Sequence, residues 1–151
     1  MAPDLTNESV AWIARAIRKA EISSEEVVKF YLGRIEEVNP QLNAVVQLVA
    51  DRALCEARAA DAALASGRIL GPLHGVPMTI KDSLDTEGVI TTGGISGRER
   101  FRPAQDATVV ARLRAAGAVL LGKTNTAELT LSYQTDNHVY GRTNNPYDLS
   151  R

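Results

Sequence analysis

The run Ala118-Val-Leu-Leu121 has no polar residue alternating with its apolar ones. A strand with one solvated face alternates, so this run reads as a strand covered on both faces, as in a parallel or mixed sheet between helices. Val76 to Ile80 is a second apolar run, and it ends in Lys81-Asp82. Between the two, Asp106 is placed to cap a helix through Ala116, with Val109, Leu113 and Ala116 on one face and Gly117 as its stop. Strand, helix and strand in that order give an α/β class with a parallel or mixed sheet.

Two helices precede this unit. In the first, Val10, Ile13, Ala14 and Ile17 recur at helical spacing, and Thr6 or Asn7 is placed to cap it. The second opens on Ser23-Ser24-Glu25-Glu26, where Ser23 and Glu26 fit a capping box and Ile22 is set to staple onto Val27. Its apolar face is Val28, Leu32 and Ile35, with Val38 on the edge, and Asn39-Pro40 is expected to end it. Leu42 to Val49 reads as a short strand. Ala50 to Ala65 reads as an alanine-rich helix with a narrow stripe of Ala53, Ala57, Ala60 and Leu64, stopped by Ser66-Gly67. A last short helix is expected from Thr126 to Leu131, followed by turn-rich sequence. No repeat or break in composition divides residues 1–151.

A formal net charge of -1 supplies no basic field, so direct nucleic-acid or anionic-lipid binding is not expected. The single cysteine, Cys55, lies in the alanine-rich run and reads as a quiet packing residue. Met1 to Val10 lacks a basic region followed by an apolar one, and no run approaches a membrane span, so a cytoplasmic location is expected. His74 and His138 have no ligand-like spacing, which argues against a metal site; His74 reads as a hydrogen-bonded turn residue.

Gly117 to Thr124 spells the phosphate-loop pattern G-x-x-x-x-G-K-[ST]. The pattern is rejected here. A phosphate loop exposes its variable residues between a strand and a helix, whereas these are AVLL and follow a helix.

Seven of the 11 glycines fall between Gly67 and Gly97, a concentration expected where backbone turns sharply or approaches something closely. Lys81 sits inside this window at a strand end. One reading is a lysine whose stem packs while its ammonium reaches water. The other is a desolvated base: a free lysine has a pKa of about 10.4, and burial favours the neutral amine. Strand ends beside glycine-rich loops are where α/β sheets place their chemistry.

Four separated segments decide between these readings: GPLHGVPMTIKD, TTGG, DATVVARLRAAGAVLLGKTNTAEL and YGRTNNPYDLSR. In that order and at that spacing they resemble the amidase signature family. The resemblance implies an N-terminal portion of a single amidase domain over 1–151: a mixed sheet flanked by helices, preceded by a helical segment. It implies hydrolysis of an amide through a serine nucleophile, a relay serine with a cis peptide bond, and Lys81 as the base, with no cofactor. On the family pattern the Gly/Ser-rich relay segment begins just after Arg151 and the nucleophile follows. Ser83, Ser96, Ser132 and Ser150 match neither position, so residues 1–151 alone are expected to be inactive. Asp82 is expected to orient the loop after the lysine. Asn125, Thr126, Glu128 and Thr130 are expected on the substrate side; otherwise Thr126 is a helix cap and Glu128 a first-turn charge. Tyr140-Gly141 and Asn145-Pro146 are expected to shape the catalytic loop. The partners implied are a small-molecule amide and either a second copy of the chain or the partner subunit of a tRNA-dependent amidotransferase. A non-catalytic binding module is the remaining alternative.

Overall fold

A computed structural model describes residues 4–151. In chain order it places α1 (Val10–Arg18), α2 (Ser24–Leu42), β1 (Val45–Leu48), α3 (Ala50–Ala65), β2 (Pro77–Lys81), α4 (Thr108–Ala115) and β3 (Val119–Thr124), then a 3-10 turn at Glu128–Thr130. The three strands lie in the order β1-β3-β2. β3 pairs parallel with β2 and antiparallel with β1, so the sheet is mixed as expected.

The unalternating run became the central strand for the reason given by its composition. Val119 and Leu121 pack with Val28, Ala53 and Ala57 on one side; Leu120 packs with Ile80, Val89 and Val110 on the other. The small stripe of α3 lets it sit close to α2 and the sheet, with Ala53, Ala57, Ala60 and Ala63 buried. Ala63 takes the place expected of Leu64, which is half-buried. α1 rests on a separate cluster formed with Leu5, Ile22, Val27 and Val76. Ile22 and Val27, the pair expected to form the staple, are both buried in this cluster.

Several boundaries differ from the sequence reading. The cap of α1 is Ser9, which accepts from the Trp12 amide; Thr6 instead donates its own amide to Asp4. Pro40 does not end α2, which runs on to Leu42. Proline forfeits one amide donor there, on an exposed position one turn from the end. The stop is Asn43, whose φ of 54° is left-handed, while Asn39 Oδ1 accepts the amides of Ala44 and Val45 and holds the reversal. Leu42 to Ala44 therefore lie outside the strand. α4 starts after Ala107 without a side-chain cap, and Asp106 serves elsewhere, accepting from the Glu87 amide and pairing with Arg114 at 2.9 Å. Val110, not Val109, is the buried residue of α4; Val109 is 46% exposed. Cys55 is exposed, so it is not a packing residue. Among the described residues no helix is long and apolar enough to cross a membrane.

The capping box of α2 is fully formed. Ser23 Oγ accepts the Glu26 amide at 3.1 Å, and Glu26 Oε2 accepts the Ser23 amide at 2.9 Å. Ser23→Ala is expected to lower stability by about 1 kcal/mol, read as a fall in the denaturant midpoint with an unchanged slope.

Candidate functional site

β2 delivers Lys81 to its C-terminal end, opposite Thr124 of β3. Pro77, Thr79 and Lys81 lean to the partly open face of the sheet, and Ile80 points into the core. Beside that face lies a cleft of about 330 Å³, lined in part by Tyr31, Val45, Thr79, Leu121 and Thr124. The Lys81 side chain is exposed, so nothing within residues 4–151 supplies the desolvation expected of it.

Asp82, the next residue, is fully buried. Its amide donates to Thr124 O at 2.8 Å, which continues the β2–β3 ladder one residue further. Its Oδ2 accepts three bonds, from the Thr92 amide at 3.0 Å, the Thr92 hydroxyl at 2.5 Å and the Gly93 amide at 3.1 Å. One carboxylate oxygen thereby folds the Thr91–Gly94 loop against the end of β2. Gly94 has a left-handed φ of 71°, and a Cβ there would stand a tight 3.1 Å from the Glu128 backbone, so a side chain would be strained. The Leu129 amide donates to Gly93 O at 3.0 Å, so the 3-10 turn is fastened to the same loop.

That turn is shorter than the expected helix over Thr126–Leu131. Leu129 and Thr130 have φ of 51° and 63°, which stops propagation. Thr126 is not its cap; its hydroxyl is buried with no hydrogen-bond partner. Glu128 and Thr130 are exposed, and the Glu128 backbone lies beside Gly94. Asn125 is buried and saturated: Nδ2 donates to Gly141 O and Thr143 Oγ1, and Oδ1 accepts from the Thr126 amide and Asn137 Nδ2. Asn137 in turn donates to Thr126 O and accepts the amides of Val139 and Tyr140. Tyr140 and Gly141 are thus held by this amide network. Burial raises the Tyr140 phenol above its ordinary pKa. Asn145-Pro146 lies in an exposed turn closed by Asn145–Asp148.

Two residues central to this arrangement escaped the sequence reading. Asn137 gave no signal beyond a turn-prone type in a turn-rich stretch. Lys123 did: it is the lysine of the rejected phosphate-loop pattern, and it lies in a strand, buried to 0% exposure. Burial lowers its pKa to about 8, against the opposing pull of Asp82, Asp85 and Asp106. His74 behaves as expected, its Nδ1 accepting the Leu70 amide at 3.0 Å in a turn. Among the described residues no group of three or more His, Cys, Asp or Glu could share a metal ion.

Against known families, the family model described as Amidase matches residues 26–151. A glutamyl-tRNA(Gln) amidotransferase subunit from Acidothermus cellulolyticus is 46% identical over 148 residues, covering 98% of this chain and 29% of that protein. Fatty-acid amide hydrolase 2-B of Danio rerio is 42% identical over 160 residues, covering 99% of this chain and 30% of its own length. Among solved structures, the peptide amidase of Stenotrophomonas maltophilia superposes with a TM-score of 0.89 at 37% identity, over 97% of this chain and 31% of that one. The chain thus spans under a third of the length of each of these relatives.

Proposed function

The chain belongs to the amidase family, and from that premise we propose that Lys81 is the base of a serine–serine–lysine relay that cleaves carboxylic amides. The observation that carries this reading is the placement of Lys81. It stands at the C-terminal end of a strand, over an open sheet face, with the buried Asp82 bracing a glycine loop immediately behind it. In the relay a neutral Lys81 amine takes a proton from one serine. That serine takes a proton from the nucleophilic serine, whose oxygen attacks the amide carbonyl. Backbone N–H groups hold the developing oxyanion, the amine leaves with a proton, and water releases the acid from the acyl-enzyme. On this reading Ser83, Ser96, Ser132 and Ser150 take neither serine role.

Asp82, Asn125 and Thr126 serve this site as framework and border, with Glu128 and Thr130 on its exposed rim. The chemistry calls for no metal or organic cofactor. A second reading rests on the 46% identity to an amidotransferase subunit: the same chemistry would release ammonia for a partner subunit. The full-length protein, tested alone and after copurification of bound partners, separates the two by whether ammonia release from free amides needs the partner. Absence of amide cleavage in both preparations would overturn the reading.

Residues 1–151 expressed alone are expected to hydrolyse no amide above background. They are also expected to bind hydrophobic dye or aggregate, because β2 is a sheet edge among the described residues, beside a partly apolar cleft, and Leu131, Tyr133 and Tyr147 are exposed. A soluble monomer with measurable hydrolysis would contradict both statements.

A further inference from the structure

Three carboxylates, Asp82, Asp85 and Asp106, act electrostatically on the buried Lys123 ammonium, and two of them already have arginine partners. Asp106 pairs with Arg114 at 2.9 Å, and Asp85 lies 3.8 Å from Arg98. Among the described residues Asp82 has no cationic partner besides Lys123. Its Oδ1 is buried without a hydrogen bond, and the Lys123 ammonium is 3.9 Å away. Besides the adjacent Lys81, Asp82 acts on Tyr140, whose hydroxyl accepts from Gln47 Nε2 at 3.2 Å. Lys123 also donates to Leu84 O at 2.6 Å and Thr91 Oγ1 at 2.8 Å. These two acceptors lie on either side of the loop between the Lys81 turn and the Thr91–Gly94 segment. A fully buried lysine and a fully buried aspartate therefore stand 3.9 Å apart, at Cα positions in register with Ile80 and next to Lys81 in the chain.

We propose that Lys123 is a positioning residue for Lys81: it cancels the charge of the buried Asp82 carboxylate and clamps the two loop segments that hold the end of β2. The proposal rests on the relay reading of Lys81. Without Lys123, Asp82 presents an uncompensated negative charge that favours the ammonium form of the neighbouring Lys81 and withholds the base. Without Asp82, the unpaired Lys123 cation favours the amine form. A lysine that merely filled space would do neither.

The test is the pH dependence of kcat/KM for the full-length protein, read below about pH 8, where Lys123 holds its proton. Lys123→Met is expected to move the acid limb up by about one unit, Asp82→Asn to move it down by a similar amount, and the double variant to return it towards its original place. Limbs that stay fixed in variants that remain folded would overturn the proposal. If Lys123→Met does not fold, Lys123→Gln, which keeps a donor towards Leu84 O without the charge, is expected to give the same upward move of the limb. Lys81→Ala, run in parallel, keeps the two readings apart. If it is inactive while the limbs stay fixed, the positioning role fails and the relay stands; if it is active, the relay itself fails.

Discussion

Lys81→Ala in the full-length protein is expected to reduce the acylation rate by about 10³- to 10⁴-fold, the scale on which a positioned base and its relay act. Single-turnover release of the amine measures this step directly. The loss should fall on kcat with little change in KM, because the proton transfer is made only on the way to the transition state. Stability gives the control. Lys81 is exposed among residues 4–151, so its truncation removes no core packing from this part of the fold, and the unfolding midpoint should move little. Activity within a few-fold of the parent would remove Lys81 from the mechanism. Activity lost together with the fold would instead mark it as a structural residue.

Gly122→Ala is expected to destabilise the protein by about 3 kcal/mol or more, near the top of the range for overpacking. A Cβ at Gly122 would collide with Gln47 O and stand 3.2 Å from the Leu48 Cα, and both are backbone atoms that no rotamer change can move aside. The strands would have to part, opening the β1–β3 pairs Gln47–Lys123 and Leu48–Gly122 and loosening the Val49 amide from Leu121 O at 2.9 Å. Lys123 is the next residue, so activity should fall beyond what the lost stability explains. Gly33 is the matched control: it lies exposed in α2 with nothing within 4 Å of an added Cβ, and Gly33→Ala should be neutral or stabilise by up to about 1 kcal/mol. Equal effects at the two sites, read from denaturant midpoints, would refute the close-approach argument.

What the sequence disclosed follows from how local each cause is. The bounds of α3, the capping box at Ser23 and the strand ending at Lys81 rest on neighbouring residues, and they agree with the structure. The missed boundaries were set from a distance. Asn39 takes hold of Ala44 and Val45 and carries α2 past Pro40; Arg114, from the far end of α4, draws Asp106 away from capping it. The place of Lys81 and Asp82 at a strand end was legible from the apolar run before them. Lys123 was not, because its meaning depends on β3 lying in register with β2, so that a lysine on one strand reaches a carboxylate just past the end of the other. Its letters match a phosphate loop, yet they lie on a strand, and the lysine is buried there with its apolar neighbours.

The network around Asn125 also bears on how freely this fold can vary. Asn43 donates to Tyr140 O and Arg142 O, Thr143 donates to Asn43 O, and Asn144 donates to Gln41 O, joining positions 97 to 103 residues apart. The entropy of closing so long a loop grows only with the logarithm of its length, and even doubling it would cost about 0.6 kcal/mol. Extra residues in the exposed turns inside the loop, such as that around Ser96 to Arg102, would barely tax the closure. The contacts themselves are bonds among amides, hydroxyls and carbonyls, indifferent to salt and to the common range of pH. A closure of this kind leaves the intervening surface open to insertion and redecoration while the ends stay joined.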